Sequence, residues 1–398
     1  MSKKKVAIIG AGIAGLTLAY ALRRSGKIDF TLYTSSDAEE VRTGRILSTQ
    51  IHFERLLQTE ARYGVANYGP ANEIHGIELI VGGQRLFHGN LRCRAVSQDQ
   101  RVYLSSLLDA LCIGSANVRK TRLTGGDLER LADSYDLIVD CTGKRGPIAS
   151  FPEYTELQYT PEAPLRLITA GMFRGISTDN PNKMAYNIIP GQGELFETTT
   201  MTEQGLASAL LLEAVPGGEL DRIKGNPAPD VFVKELLGVL QSHLPHLYER
   251  INVAEFRPVD PLAYLRTAIQ PKVRFPYTTI GGTLVIGCGD SFVLSDPVTG
   301  QGANAASYCA NALYEVLSDS ADRNWDAEIG ERYWERTKEY VTKVSEWTNA
   351  MMGPPSAAFS ELLGKAATDQ AVADDIVNLF TDPIKAHDAY FEVPVKQL

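Results

Sequence analysis

Val6-Ala-Ile-Ile-Gly10-Ala-Gly12-Ile-Ala-Gly15 is the stretch on which the fold turns. Val6 to Ile9 is a short apolar, β-branched run, the pattern of a strand covered on both faces in a parallel sheet. Gly10 permits a tight turn, Gly12 lets the backbone come close to a ligand, and Gly15 lets the next helix lie against the strand. Leu16, Ala19, Tyr20 and Leu22 then recur at helical spacing, and Gly26 is placed to stop the helix. Phe30-Thr-Leu-Tyr33 reads as a second strand. Strand, glycine turn, helix and strand make one Rossmann-type unit. Its helix start, at Ile13 and Ala14, offers free N–H groups and a positive dipole end to a pyrophosphate. Where many such units close the second strand with Asp or Glu for a ribose, this chain has Thr34, followed by Ser35 and Ser36. That hold is weaker and suits a cofactor that exchanges.

The first motif alone does not choose between NAD and FAD; the late chain does. Thr283-Leu-Val-Ile-Gly-Cys-Gly289-Asp290 is an apolar strand ending in Gly-Asp. Asp296-Pro297-Val298-Thr-Gly300-Gln301-Gly302-Ala303-Asn304 follows, and then a helical run, Ala305–Val316. This resembles the second flavin motif of the flavin-monooxygenase fold. In that fold the aspartate meets the ribityl or ribose region, and the glycine turn lies against the ring. The physics agrees. Gly300 and Gly302 allow close approach, Pro297 stiffens the turn, and a helix start stabilises negative charge on a reduced flavin. Tyr135–Lys144 reads as a buried strand running into a Thr142-Gly143 turn, which in the same fold returns to the FAD. Arg101 stands where that fold often has an arginine near the phosphates, with a surface ion pair as the alternative.

Taken together, the chain resembles the oxygenase component of the styrene and indole monooxygenases, two-component group E flavoprotein monooxygenases, over nearly its whole length. The motifs that carry this, besides those above, are Arg45-Ile-Leu-Ser-Thr49, Gly171–Gly175, Pro190–Glu194 and Trp347–Ser356. The resemblance implies a chain that takes reduced FAD from a separate NADH-dependent flavin reductase, lets O2 add at the flavin C4a position, and passes oxygen to an electron-rich C=C bond. Such chemistry is carried by the cofactor and requires no acid–base residue of the protein. Expected near the flavin and substrate are Arg45, Leu47, Ser48, Thr49 and Gln50, then Pro297, Val298 and Gln301. The branches of the family differ at positions matching Ser48, Gln50, His52, Ile74, Ile77 and Ala95. Five of these look indole-like, and His52 looks styrene-like. Indole is the expected substrate, its 2,3-epoxide leading to indoxyl and indigo. The alternatives are styrene, or a self-contained NADH-dependent flavin hydroxylase.

The expected architecture is α/β. It has a Rossmann-like FAD-binding domain of the p-hydroxybenzoate hydroxylase-like type (1–70, 98–155 and 281–320), an inserted mixed β-sheet substrate domain (71–97 and 156–280), and a C-terminal helical region (321–398). Expected strands in the insert are Glu78–Val81, Leu165–Ile168, Met184–Ile189, Glu194–Thr199 and Ala209–Glu213; expected helices are Phe232–Leu244 and Trp325–Met352, with an extended tail from Pro383. A formal net charge of -9 argues against a nucleic-acid partner. No apolar run approaches the roughly 18 residues of a membrane span. The five cysteines are scattered, and the six histidines have no metal spacing. Buried thiols in a reduced, cytoplasmic protein without a metal are expected, and a homodimer stays open.

Overall fold

The computed structural model describes residues 3–64, 69–113, 117–143, 147–178, 180–225 and 227–391. Its organising element among these is a six-stranded sheet in the order Tyr277–Ile280, Thr283–Gly287, Leu137–Asp140, Lys5–Ile9, Asp29–Thr34, Asn117–Lys120. Every neighbouring pair is parallel except the first. The four central strands are buried over Leu284–Gly287, Leu137–Asp140, Val6–Ile9 and Thr31–Thr34, as befits strands covered on both faces. The first helix, Ile13–Ser25, buries Leu16, Leu18, Ala19 and Leu22, and ends where Gly26 takes a left-handed conformation (φ 63°) and its N–H reaches the Leu22 carbonyl. The late helix Gly302–Asp319 packs beside it.

A nine-stranded mixed sheet forms the second layer. Its backbone is the antiparallel set Leu167–Arg174, Gly205–Ala214, Gly193–Thr202 and Lys183–Ile189. Glu73–Val81 joins parallel to the last of these, followed by the long strand Gln84–Gln98 and, at the edge, Gln50–His52. The strand expected at Leu165–Ile168 begins two residues later, at Leu167, where its backbone pairing with Ala214 and Ala268 starts. Two strands fall across the expected boundaries. Gln50–His52 belongs to the large sheet, and Tyr277–Ile280 to the nucleotide sheet, since each pairs with a strand of the other layer. The helix expected at Phe232–Leu244 runs Pro229–His243.

The C-terminal region is helical: Ala327–Met351, Ala357–Ala366, Gln370–Asn378 and Pro383–Phe391. The extended tail expected from Pro383 is therefore a helix as far as Phe391. Proline at a first helical position is preorganised. Ala386 and Ala389 are buried, and His387 and Asp388 bond to Glu346 and Lys343 of the long helix. The rest of the tail lies outside the described residues. Of the thiols, Cys141, Cys288 and Cys309 are buried as expected, whereas Cys112 is exposed. Among the described residues no helix is long and apolar enough to cross a membrane.

One ion-pair cluster joins the two layers. Arg101, on the helix Gln100–Ile113, donates to Asp99 at 2.8 Å, to Asp260 at 2.8 and 3.2 Å, and to the Gly44 carbonyl at 3.1 Å. With Nε also on Asp99, all of its N–H groups are occupied. This corrects the expectation of a phosphate-binding arginine: the side chain is a buried strut. Arg101→Met should lower the unfolding free energy by about 3 kcal/mol, because it leaves the buried Asp99 and the half-buried Asp260 without a cation. Arg101→Lys should also destabilise, since an ammonium cannot replace the planar fork. Urea unfolding alongside FAD titration checks this. An unchanged midpoint with lost FAD binding would restore the phosphate role.

Candidate active site

The cofactor end of the site is built from backbone. Gly10 N–H donates to the Tyr33 carbonyl at 2.8 Å, Cys141 N–H to Ile9 at 2.8 Å, and Cys288 N–H to Asp140 at 2.9 Å, so the ends of four strands meet at one place. There the glycines divide into two kinds. A Cβ on Gly10 would lie 2.3 Å from the Cys141 carbonyl oxygen, and one on Gly15 only 1.9 Å from that of Gly10. Both are packed too tightly for any side chain. A Cβ on Gly12, Gly143 or Gly302 would meet nothing within 4 Å. Those three backbone segments front open space, as a cradle for a ligand requires. The helices starting at Ile13 and Gly302 carry no side-chain cap, which leaves their first N–H groups to a ligand. The residues present therefore fit a flavin dinucleotide. Gly289 (φ 68°) brings the late motif against the early one: its Cβ position lies 3.0 Å from the Cβ of Ala14. Asp290 stands half-buried in the turn Gly289–Ser291. The Thr34 hydroxyl bonds within its own turn, to Ser36.

Asp140, which lies within the Tyr135–Lys144 run and was not among the expected site residues, organises this corner. Fully buried, it accepts from Thr142 N–H (3.0 Å) and Oγ1 (2.6 Å), from Ser291 Oγ (3.1 Å), and from Ala149 N–H (3.0 Å). The signal in the sequence was an acid closing an apolar strand just before Thr-Gly. Lys144, the end of that motif, lies outside the described residues.

The turn Asp296–Asn304 is held from several sides. Asp296 caps it by accepting from Val298 N–H at 3.1 Å. Thr299 Oγ1 meets Thr348 Oγ1 of the long helix at 2.7 Å. The Gln301 amide donates to the Thr299 and Phe380 carbonyls, at 3.1 and 2.9 Å. Asn304 accepts from Phe53 N–H at 2.9 Å and donates to the carbonyls of Ile51 and Gly300. Gln301 was expected near the flavin and Asn304 in the flavin-binding turn. Their side chains are internal braces, so their backbone, with that of Pro297, Gly300, Gly302 and Ala303, is what the turn offers there.

The expected pocket residues separate into three groups. Ile74, Ile77, Ala95 and Val298 share one buried apolar cluster with Phe53, Met184, Phe196, Trp347 and Phe380. Ile74 and Ala95 are direct cross-strand partners. Gln50 and His52 pair with Gln98 and Val96, which the pleat places on the opposite face of the sheet from Ala95. Strand register thus sets Gln50 and His52 apart from the apolar cluster of Ile74 and Ala95. His52 Nε2 lies 3.2 Å from Gln50 Oε1, and its Nδ1 lies 3.0 Å from Glu60 Oε1, which also accepts from Tyr103 at 2.6 Å. Sequence reasoning missed Glu60 and Tyr103, which come from separate helices. The third group is the loop Arg45–Thr49. Arg45 donates to the Tyr264 carbonyl at 2.8 Å and covers that ring, Ser48 donates to Gln100 at 3.3 Å, and Leu47 is 49% exposed.

Comparison with known proteins agrees with this geometry. A family model described as "Styrene monooxygenase A putative substrate binding domain" matches residues 143–250, and an "NAD(P)-binding Rossmann-like domain" model matches 8–72. The chain is 32% identical to styrene monooxygenase StyA of Pseudomonas fluorescens over 404 residues, covering 98% of this chain and 95% of the relative. It is 33% identical, with the same coverage, to a StyA of another Pseudomonas species. Among solved structures, HpxO of Klebsiella pneumoniae, complexed with FAD and uric acid, matches with a TM-score of 0.67 at 18% identity (96% of this chain, 97% of that one). PqsL of Pseudomonas aeruginosa, in complex with 2-aminobenzoylacetate, matches at 0.64 and 16% identity (95% and 100%).

The two kinds of glycine predict opposite phenotypes. Gly12→Ala should fold with an unchanged thermal midpoint and bind FAD at least about tenfold more weakly, since its methyl enters the cradle. Gly15→Ala should lose stability, because its methyl meets the Gly10 carbonyl. Thermal unfolding and fluorescence titration separate the two. Equal FAD affinity in Gly12→Ala would remove that segment from the site.

Proposed function

The chain belongs to the styrene monooxygenase family, and from that premise we propose that it epoxidises a small aromatic alkene, preferring indole, with reduced FAD supplied by a separate NADH-dependent flavin reductase. It is an FAD-dependent monooxygenase that uses O2. Reduced FAD, when bound, supplies with O2 the electrophilic oxygen; one atom goes to the C=C bond, and the other leaves as water with the two flavin electrons. The observation that carries the reading is the apolar cluster in which Val298 of the late turn packs with Ile74, Ile77 and Ala95 of the sheet.

The protein's own part is binding, orientation and dryness. The open backbone at Gly12 and the uncapped helix start at Ile13 take the pyrophosphate. The uncapped helix start at Gly302 would offer N–H groups to negative charge on a reduced ring, and the stiff Pro297–Thr299 turn would give that ring a fixed backbone to lie against. Ile74, Ile77, Ala95 and Val298 keep water from the reacting oxygen and give a flat aromatic its wall. Leu47, Ser48 and Thr49 close the side facing the loop. Ser48 is the polar group that favours indole: its hydroxyl can accept the N–H that styrene lacks. Asp290 and Thr34 are the ribose-side contacts. A single G-x-G-x-x-G motif supports a reductase on a separate chain. The second reading, styrene itself, is favoured by the name of both relatives.

With an unrelated flavin reductase, NADH, FAD and air, indole should give indigo, with kcat/KM about tenfold above that for styrene epoxide formation. Strong styrene turnover without blue pigment would reverse the substrate choice. Coupled NADH oxidation by the purified chain alone would replace the two-component reading with a self-contained hydroxylase.

A further inference from the structure

Beneath the Pro297–Thr299 turn lies a buried cluster of three carboxyls and one guanidinium. Arg166 forms a two-pronged pair with Glu194, 2.7 Å at each contact, and its Nη2 also donates to the Met352 carbonyl. Glu213 stands directly opposite Glu194 on the neighbouring strand of the large sheet. It is 0% exposed, Asp296 is 1% exposed, and the two carboxyls face each other at the junction of the sheet and the turn.

The hydrogen-bond inventory is short of donors here. One oxygen of Asp296 accepts from Val298 N–H. The other, and both oxygens of Glu213, find no donor among the described residues. The single cation in reach is already paired with Glu194. Two ionised carboxylates facing each other in so buried a place, with the nearby Arg166 committed to Glu194, would be strongly unfavourable. Like charges at Glu194 and Glu213, directly opposite on adjacent strands, would add to this. One proton supplies the missing donor and removes the excess charge.

We propose that Glu213 is a positioning residue for the flavin-facing turn: a proton held between its carboxyl and that of Asp296 ties the substrate sheet to the cap of that turn. The proposal deepens the function above and rests on assigning the turn to the flavin. The carboxyl of Glu213 is the acid and Asp296 the acceptor, so Asp296 keeps its charge for Val298 N–H and the cap persists. Burial, with Asp296 next in effect, raises the Glu213 carboxyl well above the usual glutamate range. Asp296 is raised too, again chiefly by burial, but Glu213 and the Val298 N–H pull it back. The other titratable groups around the pair are Arg166, Glu194 and the phenols of Tyr186 and Tyr390, which burial holds in the neutral form. A folded-state value above the unfolded one favours the fold at low pH. That contribution is lost as pH rises from the ordinary glutamate value of 4.5 through the raised one.

The test reads the proton directly. Difference infrared spectra of the wild-type protein at pH 8 should show a protonated-carboxyl C=O band that is absent from Glu213→Gln; the same band in both would overturn the proposal. Anaerobic titration with reduced FAD should place Glu213→Gln within about twofold of wild type, because its amide still donates to Asp296. Glu213→Leu should be weaker by about tenfold. Equal affinity in all three would overturn the tie to the turn. If the leucine variant does not fold, stability against pH decides with the glutamine variant alone. Glu213→Gln should lack part of the wild-type decline above pH 4.5, and identical slopes would count against the shared proton. None of these readouts uses turnover, so failure of indole epoxidation leaves them standing.

Discussion

The approach of Gly289 to Ala14 is the constraint on which the rest of the site depends. A dinucleotide is held by N–H groups and helix ends, which cannot reach out as side chains do. The glycine turns that carry them must be brought together by the packing of the elements behind them. The 3.0 Å separation between the Gly289 Cβ position and the Ala14 methyl shows how close that packing is. The two helices that start at these turns lie side by side, and the strands feeding them are joined through Leu137–Asp140. A shift of one helix relative to the other would open the cradle even if every glycine were kept.

This explains why so few polar side chains near the site are free to react. Oxygen transfer is the cofactor's chemistry, so the protein's task is rigidity around an open slot. Asp140 fixes the Thr142–Gly143 turn; Gln301, Thr299 and Asn304 fix the late turn; Arg101 locks the two layers together. Each is buried, and a buried polar group is tolerated only when its partners are present. The donors and acceptors that a sequence reader assigns to substrate are thus in large part already engaged with the chain.

What the sequence made legible follows the same division. Features set by local geometry were readable: the strand, turn and helix at Val6–Ser25, the late strand and turn, and the long aromatic helix near Trp325–Met352. Contacts set by distant residues were not. Arg101 pairs with Asp260, far along the chain, and nothing around Arg101 announces it. Gln50 and His52 were grouped with Ala95, but alternation along a strand tells which residues share a face only within that strand. Whether His52 lies opposite Val96 or Ala95 is decided by register, and a slip of one residue exchanges the faces. The tail failed for a milder reason. Pro383 reads equally as a chain breaker or a helix start, and only the burial of Ala386 and Ala389 against earlier helices chooses.

Register also shapes the substrate wall. Ile74 and Ile77 are three residues apart, so a regular strand would point them to opposite sides. The pairing shifts between Ile74 and Gly76, which turns both into the same apolar cluster. Gly76 permits the shift, since a Cβ there would lie 2.6 Å from the His88 ring. The side chains brought together with Val298, those of Ile74, Ile77 and Ala95, carry no hydrogen-bonding groups. Such a surface separates flat aromatics of similar size only weakly, because a methylene more or less in an apolar pocket is worth about 1–3 kcal/mol. The proposed function accordingly assigns discrimination between an N–H heteroarene and a vinyl arene to the loop Arg45–Thr49, whose Ser48 is polar. In the proposed reading, substrate choice rests with the loop Arg45–Thr49, which Arg45 holds against Tyr264.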